Sequence, residues 1–412
     1  MADVYTCIEL GTDNIKIVVC EKVKDKYHVL ASNTTPSVGI KDGFISDMKT
    51  ATNSVKNAVK SINELLGMPI RKVIACVPPK DCKMDIVSGS STIIDYNDIT
   101  GTDISNVLLD ALKKVDLTDD ELVTAMPIHF SIDDEVAVHD PKGMKGSTLS
   151  ARVVVSTTAK EPLYRILEVL RLAGLDTVDI CYSSFGDYYC IDDKKYDDLV
   201  GTIINIGEET TNVAIFNRGI QIKNGVLPVG SKNVDKDLTY AFKTKMSESR
   251  LLKENFAIAM SSLADGNDTW EIHLEKNATK EVNQVSVSKV VEARIKEILK
   301  LAKNEIKNLT NREIRYIMIT GGLTEMPGFS NLVDREFGFI GKVINIPTIG
   351  IRHNKYSSCY GTIKYFNEKL SLRGKEYNMF TKEELDSFIS NSSKNMSGNS
   401  IGSKIFERSL DD

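Results

Sequence analysis

No apolar run in this 412-residue sequence approaches the ~20 residues needed to cross a bilayer. Its start, Met1-Ala2-Asp3 leading straight into a strand-like stretch, lacks the basic residues and apolar core of a secretory signal. Any membrane contact is therefore expected to be peripheral. Positive charge is not in excess either: 52 Lys and Arg stand against 57 Asp and Glu, a net charge of -5. A nucleic-acid binder favours a basic face, so no nucleic-acid partner is expected. The five histidines are scattered without an HExxH pair, which argues against a dedicated zinc site. The seven cysteines are Cys7, Cys20, Cys76, Cys82, Cys181, Cys190 and Cys359. They are odd in number, show no CxxC spacing and lie mostly in apolar runs, the pattern of buried, reduced thiols in a cytosolic chain.

What is present is an ordinary globular composition, 42% hydrophobic and 26% charged. The length suggests about three units. Strand and helix signals alternate. Two β-rich runs over 4–10 and 15–19 flank a short polar loop and predict a hairpin. Apolar residues at Val55, Ala58, Val59, Ile62, Leu65 and Leu66 predict a helix that stops at Gly67. A buried strand over 72–77 ends at Pro78 and Pro79, and a further strand is expected over 153–157. A helix over 162–173 carries its apolar stripe on Leu163, Ile166, Leu167 and Leu170 before Gly174.

The chain also repeats itself. Cys7-Ile8-Glu9-Leu10-Gly11, a polar loop and Ile15-Lys16-Ile17-Val18-Val19 are echoed by Ile203-Ile204-Asn205-Ile206-Gly207, a polar loop and Val213-Ala214-Ile215-Phe216. Each copy puts a carboxylate or amide two residues before a glycine at a hairpin tip. Two such hairpins suggest a duplicated α/β domain with a ligand in the cleft between the halves. A third element, an apolar strand over 316–320 running into Gly321-Gly322 and then Pro327-Gly328, adds a glycine pair that lets backbone approach a planar ring or a phosphate.

In this order the three elements resemble the superfamily of actin, heat-shock chaperone ATPases and sugar kinases, and within it the FtsA family of bacterial cell-division proteins. Residues 9–16 are similar to the family's first phosphate loop, 205–211 to its second, and Met318-Ile319-Thr320-Gly321-Gly322 with Pro327-Gly328 to its adenosine loop. Leu66-Gly67-Met68-Pro69-Ile70-Arg71-Lys72, Arg171-Leu172-Ala173-Gly174-Leu175 with Asp179-Ile180-Cys181, and Gly350-Ile351-Arg352 are more particular to FtsA. The resemblance implies an α/β, actin-like fold of duplicated RNase H-like domains. Residues 1–79 and 151–200 would make subdomain 1A, 80–150 an inserted subdomain 1C, and 201–234 with 306–374 subdomain 2A and a closing 1A helix. Subdomain 2B would cover 235–305, a flexible linker 375–400 and an amphipathic tail 401–412. Within the insert, a strand over 86–94, a helix over 104–114 and β-rich 122–138 are expected. In the family this insert serves self-association.

The resemblance also implies ATP and Mg²⁺ as cofactors. Gly11, Thr12, Asn14 and Lys16 match the first loop, Gly207 and Thr210 the second, Gly321 and Gly322 the purine-side loop, and Lys253 an adenosine-side lysine, although Arg250 replaces an expected acid nearby. Glu9 and Asn205 stand where the family usually has Asp, and Glu9 remains the candidate metal ligand. Glu keeps the charge on a longer arm, whereas Asn removes it. Glu208 and Glu209 replace two glycines of the second loop and set two negative charges against a polyanion. Slow or absent hydrolysis is expected from these departures, at most a weak ATPase.

The family ends in a linker and a membrane-targeting helix. Ser/Asn/Gly-rich 390–403, with Ile401, Ile405, Phe406 and Leu410 around its end roughly on one helical face, is a short version, which Asp411-Asp412 leaves poorly suited to anionic lipid. The family binds the C-terminal peptide of FtsZ on subdomain 2B, where an amphipathic helix over 290–306 turns Val291, Ile295, Ile298, Leu299 and Ala302 inward. These features together imply a division-site adaptor that ties FtsZ to the cytoplasmic membrane. Two other readings stay open: a PilM-like peptide-binding protein of a pilus system, and a metabolite kinase of the same fold.

Overall fold

The computed structural model describes residues 3–191, 193–274 and 278–385. They fall into two compact units, one built from 3–190, 347–352 and 358–385, the other from 191–346 and 353–357.

In the first unit, β1 (Asp3–Leu10), β2 (Asn14–Val23) and β3 (Lys26–Pro36) form an antiparallel meander. Their near-continuous Val, Ile and Cys content suits strands covered on both faces. After α1 (Met48–Leu66), β4 (Lys72–Val77) pairs parallel to β1, and later β9 (Asp176–Tyr182) pairs parallel to β4, giving the order β9-β4-β1-β2-β3. Asp47 caps α1 by accepting from the Thr50 N–H, and Ala51, Val55, Ala58, Ile62 and Leu66 form its buried stripe. Leu65, expected inward, is 58% exposed although it is spaced i+3 from buried Ile62; in the last turn the buried position is Leu66.

The insert follows β4. It comprises β5 (Lys83–Thr92), α2 (Gly101–Leu112), β6 (Asp120–Ile132), β7 (Val136–Val138) and β8 (Thr148–Ala159), in a sheet ordered β5-β8-β6-β7. The expected strand over 153–157 is thus the second half of a twelve-residue strand. Leu149, Ala151, Val153 and Val155 alternate inward from β8 and meet Ile104, Val107 and Ala111 of α2 in a core of the insert's own. Helix α3 (Lys160–Leu172) returns the chain to β9, burying Leu163, Ile166, Val169 and Leu170, with Leu167 only half-buried; α4 (Ser183–Tyr189) follows.

The second unit repeats the plan. The strands β10 (Val200–Ile206), β11 (Thr211–Asn217) and β12 (Ile220–Leu227) form a meander. Helices α5 (Ser231–Phe242) and α6 (Met246–Asn255), a small hairpin of β13 (Thr269–His273) and β14 (Thr279–Asn283), and the long α7 (Gln284–Leu309) come next. Then β15 (Tyr316–Thr320) pairs parallel to β10 and, after α8 (Phe329–Phe337), β16 (Gly341–Val343) parallel to β15. The order β12-β11-β10-β15-β16 has the same connectivity as the first sheet, so the echo in the sequence is a duplicated fold. All five residues expected inward on α7 are buried.

Helix α9 (Ser357–Leu372) lies on the first sheet, with Phe366 edge-on to Tyr5 and Cys359 Sγ 3.9 Å from the Lys16 carbonyl oxygen. Residues 375–385, expected as the start of a linker, are docked instead. Sparse apolar anchors in a polar stretch explain the difference: Met379, Phe380 and Leu385 are buried. Met379 N–H donates to the Val4 carbonyl at 3.2 Å, Asn378 Oδ1 accepts from Val4 N–H, and Thr381 and Glu384 cap each other's N–H groups. The rest of the expected linker, and the tail residues Ile401, Ile405, Phe406 and Leu410, lie outside the described residues.

Candidate functional site

In the first unit every candidate residue sits on the β1–β2 hairpin. Gly11 N–H donates to Asn14 O at 3.1 Å, closing a tight turn in which a Cβ on Gly11 would lie 2.6 Å from that oxygen. The Thr12 hydroxyl accepts from Gly43 N–H at 3.0 Å, and the Asp13 carbonyl from Ser37 N–H at 2.9 Å, so the loop is braced from the segment after β3. The Asn14 amide donates to the Asp13 carboxylate. Glu9 and Lys16 are cross-strand partners, with Nζ 3.1 Å from Oε1 and side chains 17% and 18% exposed. Burial alone would lower the Lys16 pKa, but the Glu9 carboxylate holds it above the ordinary lysine value. Lys16 is therefore a fixed cation at the base of a glycine turn rather than a solvated strand residue.

The other Glu9 oxygen, Oε2, is buried without a hydrogen-bond partner. Among the described residues no group of three or more His, Cys, Asp or Glu side chains is placed to hold a metal. Mg²⁺ commonly takes one or two carboxylates and completes its shell with phosphate oxygens and water. Glu9 Oε2 fits a cation that arrives on a phosphate ligand, and the hairpin offers no cage for a free one.

In the second unit Asn205, Gly207, Thr210, Gly321 and Gly322 come together, because Asn205 at the end of β10 is the parallel partner of Thr320 at the end of β15. Gly207 N–H donates to Thr210 O at 2.9 Å, as Gly11 does to Asn14. Gly321 has φ +104°, and a Cβ there would lie 2.2 Å from Ile206 O and 3.0 Å from Asn205 Oδ1, so only glycine lets the two strand ends close up. Gly322 faces open space. Where the first hairpin has the Glu9–Lys16 ion pair, this one pairs Asn205 with Asn212. Asn212 is 8% exposed, and neither of its amide atoms has a hydrogen-bond partner.

Glu208 and Glu209 turn to the start of α5. Ser231 Oγ donates to Glu208 Oε2 at 2.7 Å, and Lys232 Nζ lies 2.7 Å from Glu209 Oε1. The Ser231 and Lys232 N–H groups donate to the Gly207 and Glu208 carbonyls. Lys253, on α6, is buried in an ion pair with Asp235 of α5, Nζ to Oδ2 2.8 Å. Burial lifts Asp235 above the usual carboxylate range although Lys253 opposes the shift. The Lys253 ammonium is thus committed to a structural partner. Sequence reasoning missed Ser231, Lys232, Asp235 and Asn212. The one available signal was Gly230-Ser231-Lys232-Asn233, a helix start in which Asn233 accepts from Gly230 N–H.

Two family models match the chain: cell division protein FtsA over residues 202–361, and the SHS2 domain inserted in FtsA over 80–157. The cell division protein FtsA of Bacillus subtilis (strain 168) is 25% identical over 386 residues, covering 93% of this chain and 88% of that protein. The FtsA of Streptococcus pneumoniae serotype 2 is 27% identical over 358 residues, 86% and 78% of the two chains. Among solved structures, the PilM–PilN type IV pilus biogenesis complex aligns with TM-score 0.59 at 14% identity over 90% of this chain and 99% of that one. MreB5 of Spiroplasma citri bound to ADP aligns with TM-score 0.54 at 11% identity over 90% and 98%. At these identities the structural matches establish the actin-like fold alone.

Proposed function

Because the chain belongs to the FtsA family of cell-division proteins, we propose that it binds the C-terminal peptide of FtsZ and tethers FtsZ to the inner face of the cytoplasmic membrane at the division site. ATP with Mg²⁺ is its conformational ligand rather than a substrate turned over at speed. The inserted 1C subdomain carries self-association. The observation that supports this reading best is the coincidence, on one chain, of a duplicated actin-like fold and the separately cored insert that matches the FtsA-specific model. Among the described residues no helix is long and apolar enough to cross a membrane, which fits peripheral attachment. The neutral Asn205–Asn212 pair is a poor organiser of an attacking water, in keeping with weak hydrolysis at most.

The test is co-sedimentation of FtsZ filaments with liposomes, in the presence of the full-length chain or of a form truncated after Asn399. FtsZ is expected in the lipid pellet only with the full-length chain. If both forms behave alike and FtsZ stays in solution, the membrane adaptor reading fails, and a PilM-like capture of a peptide becomes the better account. ATP consumption in the presence of a metabolite would instead favour a kinase.

A further inference from the structure

The second hairpin carries two carboxylates, at Glu208 and Glu209, where a phosphate loop needs room and donors. Neither projects idly into solvent. Glu208 Oε2 takes the hydroxyl of Ser231, Glu209 Oε1 takes the ammonium of Lys232, and the N–H groups of the same two residues are taken by the loop's own carbonyls at 2.8 and 2.9 Å. The Ser231 hydroxyl and Lys232 ammonium at the start of a twelve-residue helix are the groups an incoming phosphate would otherwise engage. On the same hairpin a second feature points to a ligand: Asn212, one residue past Thr211 and cross-strand from Asn205, is 8% exposed with both amide atoms unpartnered. Buried polar groups are rarely left so.

We propose that Glu208 and Glu209 are an internal anion that sets the nucleotide affinity of this loop, by holding the donors that a polyphosphate tail must win. The proposal rests on the reading of residues 205–211 as a phosphate loop. A nucleotide engaging this hairpin displaces at least the Glu208 carboxylate from Ser231 and brings its own negative charge beside two others. Affinity is therefore low in the native chain and rises when the carboxylates are removed. Each carboxylate released is comparable to one charge-assisted hydrogen bond, about tenfold to a hundredfold in affinity. Glutamine at both positions keeps the hydrogen bond to Ser231 but discharges the loop, so it restores part of the effect.

Calorimetric titration of the full-length chain with Mg·ATP tests this on wild type, E208G/E209G and E208Q/E209Q, with the fold of each variant checked by fluorescence of its single tryptophan, Trp270. The glycine pair is expected to bind at least about tenfold more tightly than wild type, with the glutamine pair between them. Equal or weaker binding by folded variants, beside measurable binding by wild type, overturns the proposal and leaves the ATP reading standing. No binding by any of the three at millimolar ATP overturns the ATP reading itself, and the proposal with it.

Discussion

Replacing Lys253 with Met takes away the ammonium that lies 2.8 Å from Asp235 Oδ2, where the two side chains are 6% and 3% exposed. The carboxylate left behind is buried, its Oδ1 already lacks a partner, and Glu208 adds a like charge nearby. Breaking a buried pair from one side costs about 3–5 kcal/mol, whereas replacing both members with apolar residues is often close to neutral. The stranded Asp235 escapes by binding a proton, so its folded pKa rises further above the unfolded ~3.9. A carboxyl raised in the folded state favours folding below its unfolded pKa and loses that contribution as pH rises through the folded value. The K253M penalty should therefore be greatest at neutral pH and shrink on acidification, by up to ~1.4 kcal/mol per pH unit through the titration range. Urea unfolding followed by Trp270, which packs on Phe256 beside α6, reads the second unit directly. At about pH 7.5 K253M is expected to lose about 3–5 kcal/mol, and D235L/K253M to lose about 1 kcal/mol or less. Equal losses in both variants, independent of pH, would refute the reasoning.

Glu292 of α7 behaves in the opposite sense. Burial works against its charge, but the Ser261 hydroxyl and N–H, Lys296 and Arg335 together hold its carboxyl far below the usual range. Its contribution is present above the unfolded value of ~4.3 and lost as pH falls towards the folded one, so E292Q should cost about 3 kcal/mol at neutral pH and progressively less as the pH falls from about 4 to about 2. Urea midpoints across that range check it, and a cost constant with pH counts against it. Gly321→Ala puts a Cβ 2.2 Å from Ile206 O at φ +104°, and a loss of about 3 kcal/mol or more is expected in the same assay. For the thiols, burial pushes Cys82 up to about 12, and the other six are fully shielded. A thiol reagent should find Cys82 first and slowly, and the rest only on unfolding; early modification of Cys7 or Cys359 would contradict this packing.

The parts of the fold that could be read from the chain are those in which one short stretch carries its own signal. The two hairpins announce themselves through β-rich runs broken by a glycine and a polar loop, and α7 through an apolar face that holds its period from Val291 to Ile306. The first seven residues of α1 carry no such face, since the positions buried there include Thr52 and Ser54. Docked 375–385 looks like linker because three apolar anchors are diluted by Lys, Glu and Asn. At the site the same division holds. The residues of each loop were legible, but what they touch was not. Glu208 meets Ser231 across 23 positions, and Asp235 meets Lys253 across 18, at separations that only tertiary packing sets.

The docking of 375–385 also defines a path for force. Met379 is bonded to Val4, and its sulfur accepts from Thr6 N–H at 3.1 Å, while Asn378 holds Val4 again. From Thr6, β1 runs without interruption to Glu9 and the Gly11 turn. An extended strand is nearly inextensible, and the distance from Thr6 to Gly11 is only about 17 Å. Tension applied to the chain beyond residue 385 is taken up by the docked segment and delivered to the base of the first hairpin, so the hairpin that carries Lys16 is mechanically in series with whatever the chain beyond residue 385 is made to hold.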